Sequence, residues 1–493
     1  MASEPAEAAR FRPMRLRLRG RLGRKAAARP RLLPWPPGAP APLPDLAERP
    51  AAPCWREGGL LLPVPADQAD PPGWDSSAWD SSAWDPPAWD PPAWERAAAA
   101  ALPALPEGTR RAVLDARHLS PAQALALARG LALAAPGGFR LDLWHDRPEA
   151  LAPLWQAERA MLKAVARARR WVATPANRLT PARFARALKR LERHGIAVQV
   201  LGRRALERAG FGGLLAVGGG SAHPPRLVVL RWAGRLAVPP VVFVGKGITF
   251  DTGGLGLKRG AGMEVMREDM AGAAACAGAM LALALRDSPA PAAAVLPMAE
   301  NAIGAAAYRP GDVVATLSGR TVEVVDTDAE GRLILADALN YAVRAFRPEA
   351  VIDLATLTGA AITALGHHRA ALYGNDPVLA AALCAAGEAV GERLWPMPLP
   401  QTGDAALDSD IADLRQCAPR DPSGRAQPDA GHAAAFLHEF LGDDPPAWAH
   451  LDMAGMVGEA ARGEDAPLSL PGGFGVRLLA GLVAARFEDP HRI

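Results

Sequence analysis

Residues 244–258 read Val-Gly-Lys-Gly-Ile-Thr-Phe-Asp-Thr-Gly-Gly-Leu-Gly-Leu-Lys and begin on the last residue of the apolar run Val241-Val-Phe-Val. A short, continuously apolar run is what a strand buried in an α/β sheet requires. Of the 55 basic residues only five are lysine (Lys25, Lys163, Lys189, Lys246 and Lys258), and two of those five bracket this stretch. A background so rich in arginine keeps lysine where a compact amine works and a planar, permanently charged guanidinium does not. Such an amine can lose its proton and bind a metal ion, or aim a single charge at an oxygen. Taken alone, the stretch is also open to a bland account, a glycine turn with two chance lysines.

On either side, helices and strands alternate. Ser120-Pro121-Ala-Gln-Ala-Leu opens an amphipathic helix, with Ser as N-cap and Pro in the first turn. Phe139-Arg-Leu-Asp-Leu-Trp alternates like a strand, and residues 153–173 read as a long helix. Another helix starts at Thr180-Pro181 and runs to about His194, followed by strands at Ile196-Ala-Val-Gln-Val-Leu and Leu227-Val-Val-Leu-Arg-Trp. Downstream come helix 271–285, strands 292–298 and 321–325, helix 333–346, strand 350–354 and helix 430–441. The expected fold class is α/β. A small N-terminal α/β domain over residues 97–172 precedes a larger α/β/α sandwich over residues 173–493.

The bulk properties narrow the function classes. At 493 residues the chain can hold two or three domains. Half the residues are hydrophobic and 22% are charged, as in water-soluble globular proteins. A net charge of +3 calls for no polyanionic partner. Cys54, Cys276, Cys384 and Cys417 are far apart with no Cys-x-x-Cys pair, which suggests neither a thiolate zinc site nor a disulfide framework and fits a reducing, cytoplasmic location. No apolar run reaches the roughly 18–20 residues that span a bilayer, so no membrane partner is expected.

Residues 10–31 carry ten Arg or Lys, no acid and no apolar segment behind them, which is not a secretory signal. Residues 30–96 are rich in Pro, Ala and Trp, with consecutive repeats Trp74-Asp-Ser-Ser-Ala, Trp79-Asp-Ser-Ser-Ala, Trp84-Asp-Pro-Pro-Ala and Trp89-Asp-Pro-Pro-Ala closed by Trp94-Glu95. A period of five with repeated Pro-Pro suits neither helix nor sheet. Residues 1–96 are therefore expected to be a disordered basic and Pro/Trp-repeat tail.

A second stretch, Asp326-Thr-Asp-Ala-Glu-Gly-Arg-Leu333, places three acids and an arginine after strand 321–325 and before an apolar helix. The carboxyl end of a strand is where open α/β sheets hold their ligands. Asp328 and Glu330 alternate, so extended backbone would point both carboxylates to one side. Acids near a helix start are also ordinary capping residues. With the first stretch the chain offers four carboxylates (Asp251, Asp269, Asp328 and Glu330) and the Lys246 amine, a set suited to two divalent ions sharing bridging oxygens. No His-Glu-x-x-His motif occurs and the ten histidines show no ligand spacing.

These residues resemble a known family, the leucyl aminopeptidases, cytosolic dinuclear metallo-exopeptidases of the M17 type. Besides Gly-Lys-Gly-Ile-Thr-Phe-Asp-Thr-Gly-Gly and Thr-Asp-Ala-Glu-Gly-Arg-Leu, three other stretches are similar: Met266-Arg-Glu-Asp-Met-Ala-Gly-Ala-Ala, Asp353-Leu-Ala-Thr-Leu-Thr-Gly-Ala and, more weakly, His450-Leu-Asp-Met-Ala-Gly. Thr174-Pro-Ala-Asn and Leu214-Leu-Ala-Val-Gly-Gly-Gly-Ser also match, so the resemblance covers roughly residues 150–485.

The resemblance implies a peptidase removing N-terminal residues, leucine and other apolar ones preferred, from peptides with a free N-terminus. Lys246, Asp251, Asp269 and Glu330 would bind one metal; Asp251, Asp328 and Glu330 would bind the other. Lys258 would point its ammonium at the scissile carbonyl and oxyanion, and Arg332 would hold a bicarbonate acting as general base. The implied cofactors are two divalent ions, Mn²⁺ or Zn²⁺, whose shared water would have a lowered pKa. Met266, Thr356, Leu357, Gly359 and Ala454 would line the substrate site, and the assembly would be a homohexamer.

Departures from the family pattern are Asp326, where the family has Asn, and Asp429-Ala-Gly-His432, in place of a run of small residues. Two other classes compete. A nucleic-acid-binding regulator would use the arginine-rich arm, but a binder needs none of the seven metal and catalytic residues found here. A dinuclear phosphoesterase would ordinarily add histidine ligands.

Overall fold

The computed structural model describes residues 14–19, 31–35, 54–56, 59–63, 91–107, 109–117, 119–135, 138–260, 262–400, 405–418, 429–458 and 467–488. Most of the arginine-rich arm and residues 74–90 of the pentapeptide repeat lie outside them. The backbone divides into two compact units, and the division falls at Leu162 and Lys163, inside helix Pro148–Val172.

The N-terminal unit holds a six-stranded sheet among the described residues, in the order Arg15–Arg19, Arg140–Trp144, Arg111–Asp115, Arg31–Trp35, Gly59–Pro63, Cys54–Arg56. Every neighbouring pair is parallel except the last. Four of these strands lie within residues 1–96, so the expectation of a tail without regular structure is corrected there. Arg15-Leu-Arg-Leu-Arg has the period of two that a strand needs. Its arginines mark it as a basic arm only while its pairing with residues 140–144, far along the chain, is unseen.

The closing Trp-Glu of the repeat is also ordered. It lies in helix Pro91–Ala100, with Trp94 and Glu95 buried. Pro91 and Pro92 occupy the first turn, where no intrahelical N–H bond is lost. The following helix, Pro121–Ala134, has the expected cap: Ser120 Oγ accepts from the Gln123 N–H at 3.3 Å while Gln123 Oε1 accepts from the Ser120 N–H at 2.9 Å.

The C-terminal unit is built on a nine-stranded mixed sheet among the described residues. Its order is Leu394–Pro396, Ala370–Gly374, Ala447–Asp452, Ala350–Ala355, Val241–Gly245, Ala292–Asn301, Arg226–Trp232, Ala197–Leu201, with Gly247–Asp251 pairing beside Ala292–Asn301. Val241–Gly245 is central and buried at every position. Val242 and Val244 join the core that contains helix Glu330–Phe346, while Val241 and Phe243 alternate to the other face.

Two groups of helices cover the sheet: Ala271–Leu285 packs with Val476–Leu482 and the latter with Pro377–Val390, and Glu330–Phe346 packs with Gly212–Val217 and Asp429–His438. Each Val or Phe fully buried in such a layer contributes roughly 1.5–3 kcal/mol. The run Met263–Leu285 is long and apolar enough to cross a membrane by length and composition, contrary to expectation. Yet 83% of its apolar window is buried inside the molecule, as a core helix would be.

Candidate metal centre and active site

Strands Val241–Gly245, Ala292–Asn301, Ala350–Ala355 and Ala447–Asp452 run parallel, so their carboxyl ends lie at one edge of the sheet. That edge receives Lys246, Asn301, Thr356 and Asp452. Immediately beyond Lys246, strand Gly247–Asp251 breaks register against Ala292–Asn301 between Ile248 and Asp251, which sets Asp251 opposite Asn301.

The buried Lys246 amine donates to Asp269 Oδ1 and Glu330 Oε1, each at 2.8 Å, and to the Thr356 carbonyl at 2.9 Å. This approach requires Gly331: a Cβ there would lie 2.7 Å from Lys246 Cε. Burial disfavours the charge on Lys246, but Asp269, Glu330 and Asp251 outweigh it and raise its pKa. Lys258 reaches Asp251 Oδ2 at 2.8 Å and Asp328 Oδ1 at 2.5 Å. Its pKa is likewise raised, by Asp251 and Asp328 against burial.

The carboxylates carry the opposite stress. Burial raises Asp269 despite Lys246, burial and the Asp251 charge raise Glu330, and burial with Asp251 pushes Asp328 up to about 7 against Lys258. Oxygens of Asp251, Asp328 and Glu330 lie within 4.8 Å of one another. Asp269 Oδ2 and Glu330 Oε2 are buried with no hydrogen-bond partner among the described residues. Leaving buried acceptors unpaired is costly. Divalent cations fit this donor set of four carboxylates and one amine.

Asp328 and Glu330 do not converge by alternation in extended backbone. Residues 326–329 close a turn through the Ala329 N–H and the Asp326 carbonyl, and Glu330 is the first residue of helix Glu330–Phe346, three residues before the expected start. Asp326 Oδ1 accepts the Asp328 N–H at 2.9 Å, closing that turn. Gln416 braces it from outside, with Oε1 accepting from the N–H groups of Val325 and Asp326 and Nε2 donating to the Ala329 carbonyl. Glu330 sits at the positive end of the helix dipole, a favourable place for an acid.

Arg332, in the first turn of the same helix, is buried. It donates to the Gln416 carbonyl at 2.8 Å and to His432 Nδ1 at 3.4 Å, and lies 3.5 Å from Asp429 Oδ1. Asp429 and His432, the two ends of the departure noted at residues 429–432, thus meet at the one arginine of the acidic motif. Of the expected substrate residues, Thr356 joins the ligand cluster by donating to Asp269 Oδ1 at 2.6 Å. Leu357 and Ala454 are drawn together by Asp452, whose Oδ1 accepts both N–H groups at 3.2 Å while Oδ2 accepts from Thr358 Oγ1 at 2.6 Å. A Cβ on Gly359 would meet nothing within 4 Å. Met266 lies in the 3₁₀ turn Met263–Glu268, and its carbonyl accepts from the Asp269 N–H at 3.3 Å.

Asn301, Gln416, Asp452 and Tyr308 were not singled out from sequence. Most of their bonds reach residues far along the chain, and a single polar residue at a strand end or in a loop carries little local pattern.

A family model for the cytosol aminopeptidase family, catalytic domain, matches residues 166–480. A probable cytosol aminopeptidase of Brucella melitensis is 46% identical over 337 residues, spanning 68% of this chain and 67% of its own length. One of Nitrobacter hamburgensis is 41% identical over 397 residues, 76% of this chain and 77% of its own. A solved structure, the bottromycin maturation enzyme BotP in complex with Mn, aligns with a TM-score of 0.78 at 32% identity over 93% of this chain and 99% of that chain. The acidic cluster at the sheet edge thus sits inside a matched catalytic domain, and the chain belongs to the cytosol aminopeptidase family of metal-dependent peptide hydrolases.

Proposed function

We propose that this protein removes N-terminal amino acids from peptides with a free N-terminus, leucine and other apolar residues preferred. The observation that carries the reading is the convergence of Asp251, Asp328 and Glu330 within 4.8 Å, with Lys246 and Lys258 in contact with them and Asp269 joined to the group through Lys246. Lys246, Asp251, Asp269, Asp328 and Glu330 would hold two divalent ions, Mn²⁺ or Zn²⁺; manganese is present in the similar BotP structure. Bound there, the ions supply Lewis acidity and an activated water.

The chain's own groups do the rest. Lys258 has its charge favoured by Asp251 and Asp328 and is more open to solvent than Lys246, so it can donate to a developing oxyanion. Arg332, with its Nε buried and without a partner among the described residues, would hold a bicarbonate that serves as base. Thr356 and Leu357 would align the peptide backbone, with Met266, Gly359 and Ala454 around its first side chain. The relatives' name supports the cytoplasmic location, and a homohexamer is the expected assembly, which sedimentation of the purified protein tests.

The test is hydrolysis of leucine p-nitroanilide with added Mn²⁺ or Zn²⁺, and again with chelator. Release that requires the metal and stops with chelator is the expected result. No release with either metal, from assembled protein and across several aminoacyl groups, would overturn the reading.

A further inference from the structure

Asn301 ends strand Ala292–Asn301 fully buried. Its Nδ2 donates to Asp251 Oδ1 at 2.8 Å and to the Thr327 carbonyl at 2.9 Å. Its Oδ1 has no partner among the described residues and faces Gly254, where a Cβ would come within 3.0 Å of it. The amide orientation is fixed by chemistry, because the flipped form would set its oxygen against two acceptor oxygens.

The main chain of Asn301 takes part as well: its carbonyl accepts from both the N–H and the Oγ1 of Thr252, each at 3.0 Å. One residue therefore ties the end of strand Gly247–Asp251 to the residue preceding Asp328. Asp251 Oδ1 is also held by the Gly253 N–H at 2.9 Å. With Oδ1 occupied by two donors, Oδ2 is the oxygen that pairs with Lys258.

We infer that Asn301 is a positioning residue that fixes the rotamer of Asp251, and with it the spacing between Asp251 and Asp328, so that the acidic cluster is set for divalent ions before they arrive. Partners that orient a ligand from behind typically change metal affinity 10–100-fold when removed. The inference rests on the reading of Asp251 and Asp328 as metal ligands. Tyr308 provides an internal comparison: its hydroxyl donates to the same Thr327 carbonyl at 2.7 Å, yet no bond links it to Asp251.

The experiment is calorimetric titration of chelator-stripped full-length protein with Mn²⁺, for the wild type, Asn301→Leu, Asn301→Ala and Tyr308→Phe, with melting in chelator measured alongside. Leucine replaces the amide at nearly constant volume, and alanine serves if leucine does not fold. The expected result is Mn²⁺ affinity about 10–100-fold weaker in an Asn301 variant that still melts as a folded protein. Turnover of that variant should recover at saturating Mn²⁺, and Tyr308→Phe should stay within about threefold of wild type. Wild-type affinity in a folded Asn301 variant overturns the inference. An equal loss in Tyr308→Phe does so too, because the effect would then come from loosening around Thr327. Failure of the wild type itself to bind Mn²⁺ overturns the functional reading on which the inference stands.

Discussion

Lys246 and Lys258 sit in the same acidic cluster with different surroundings, and their substitutions separate two roles. Lys246 is enclosed by Asp269, Glu330 and the Thr356 carbonyl, with Gly331 against its methylenes. A guanidinium is larger and does not give up its proton, so Lys246→Arg should lose bound metal and activity although charge is kept; metal content by mass spectrometry checks this, and full metal with full turnover would contradict it. Lys258 reaches the cluster from a loop. Lys258→Ala should lower kcat about 10²–10³-fold, the usual loss for one oxyanion donor. Steady-state kinetics at saturating metal reads that loss directly, and a change confined to KM would remove Lys258 from the chemical step.

At the scale of elements, helix Glu330–Phe346 orients the site through one buried acid. Asp337, two turns beyond Glu330, accepts the N–H groups of Leu214 at 2.9 Å and Leu317 at 2.7 Å, and also that of Gly213. Burial pushes Asp337 up to about 7 in spite of these donors. An acid whose folded pKa lies above its unfolded value holds its proton more tightly when folded. Its contribution to stability is full below pH about 4 and is lost as pH rises through about 7. Urea unfolding at pH 5 and pH 8 should therefore show a stability difference that shrinks in Asp337→Asn. An unchanged difference would mean that Asp337 is ionised throughout.

The same helix shows what sequence could and could not tell. Its apolar period over 333–346 was legible. Its first turn was not, because Asp328-Ala-Glu330 reads equally as a strand end, and the turn depends on Gln416, more than eighty residues away. Lys246, Asp251 and Glu330 were readable as local motifs of unusual composition. Asn301 acts through bonds of long sequence separation and left no local sign.

For the whole molecule, helices and strands of the C-terminal unit were legible because buried parallel strands are continuously apolar, as Val241-Val-Phe-Val is. The first strands of the N-terminal unit were not, since Arg15–Arg19 and Arg31–Trp35 look like basic and proline-rich tail until partners from residues 111–144 complete the sheet. Under the proposed function, the carboxylates at the edge of the nine-stranded sheet hold the metals on which catalysis depends. Metal stoichiometry of wild type and Glu330→Gln, each equilibrated with Mn²⁺ and passed through a desalting column, tests it most directly. The prediction is about two ions per chain in the wild type and marked loss in the variant, with leucine p-nitroanilide turnover falling in step. Full stoichiometry in Glu330→Gln, or a wild type that retains no metal while turning over substrate, would contradict it.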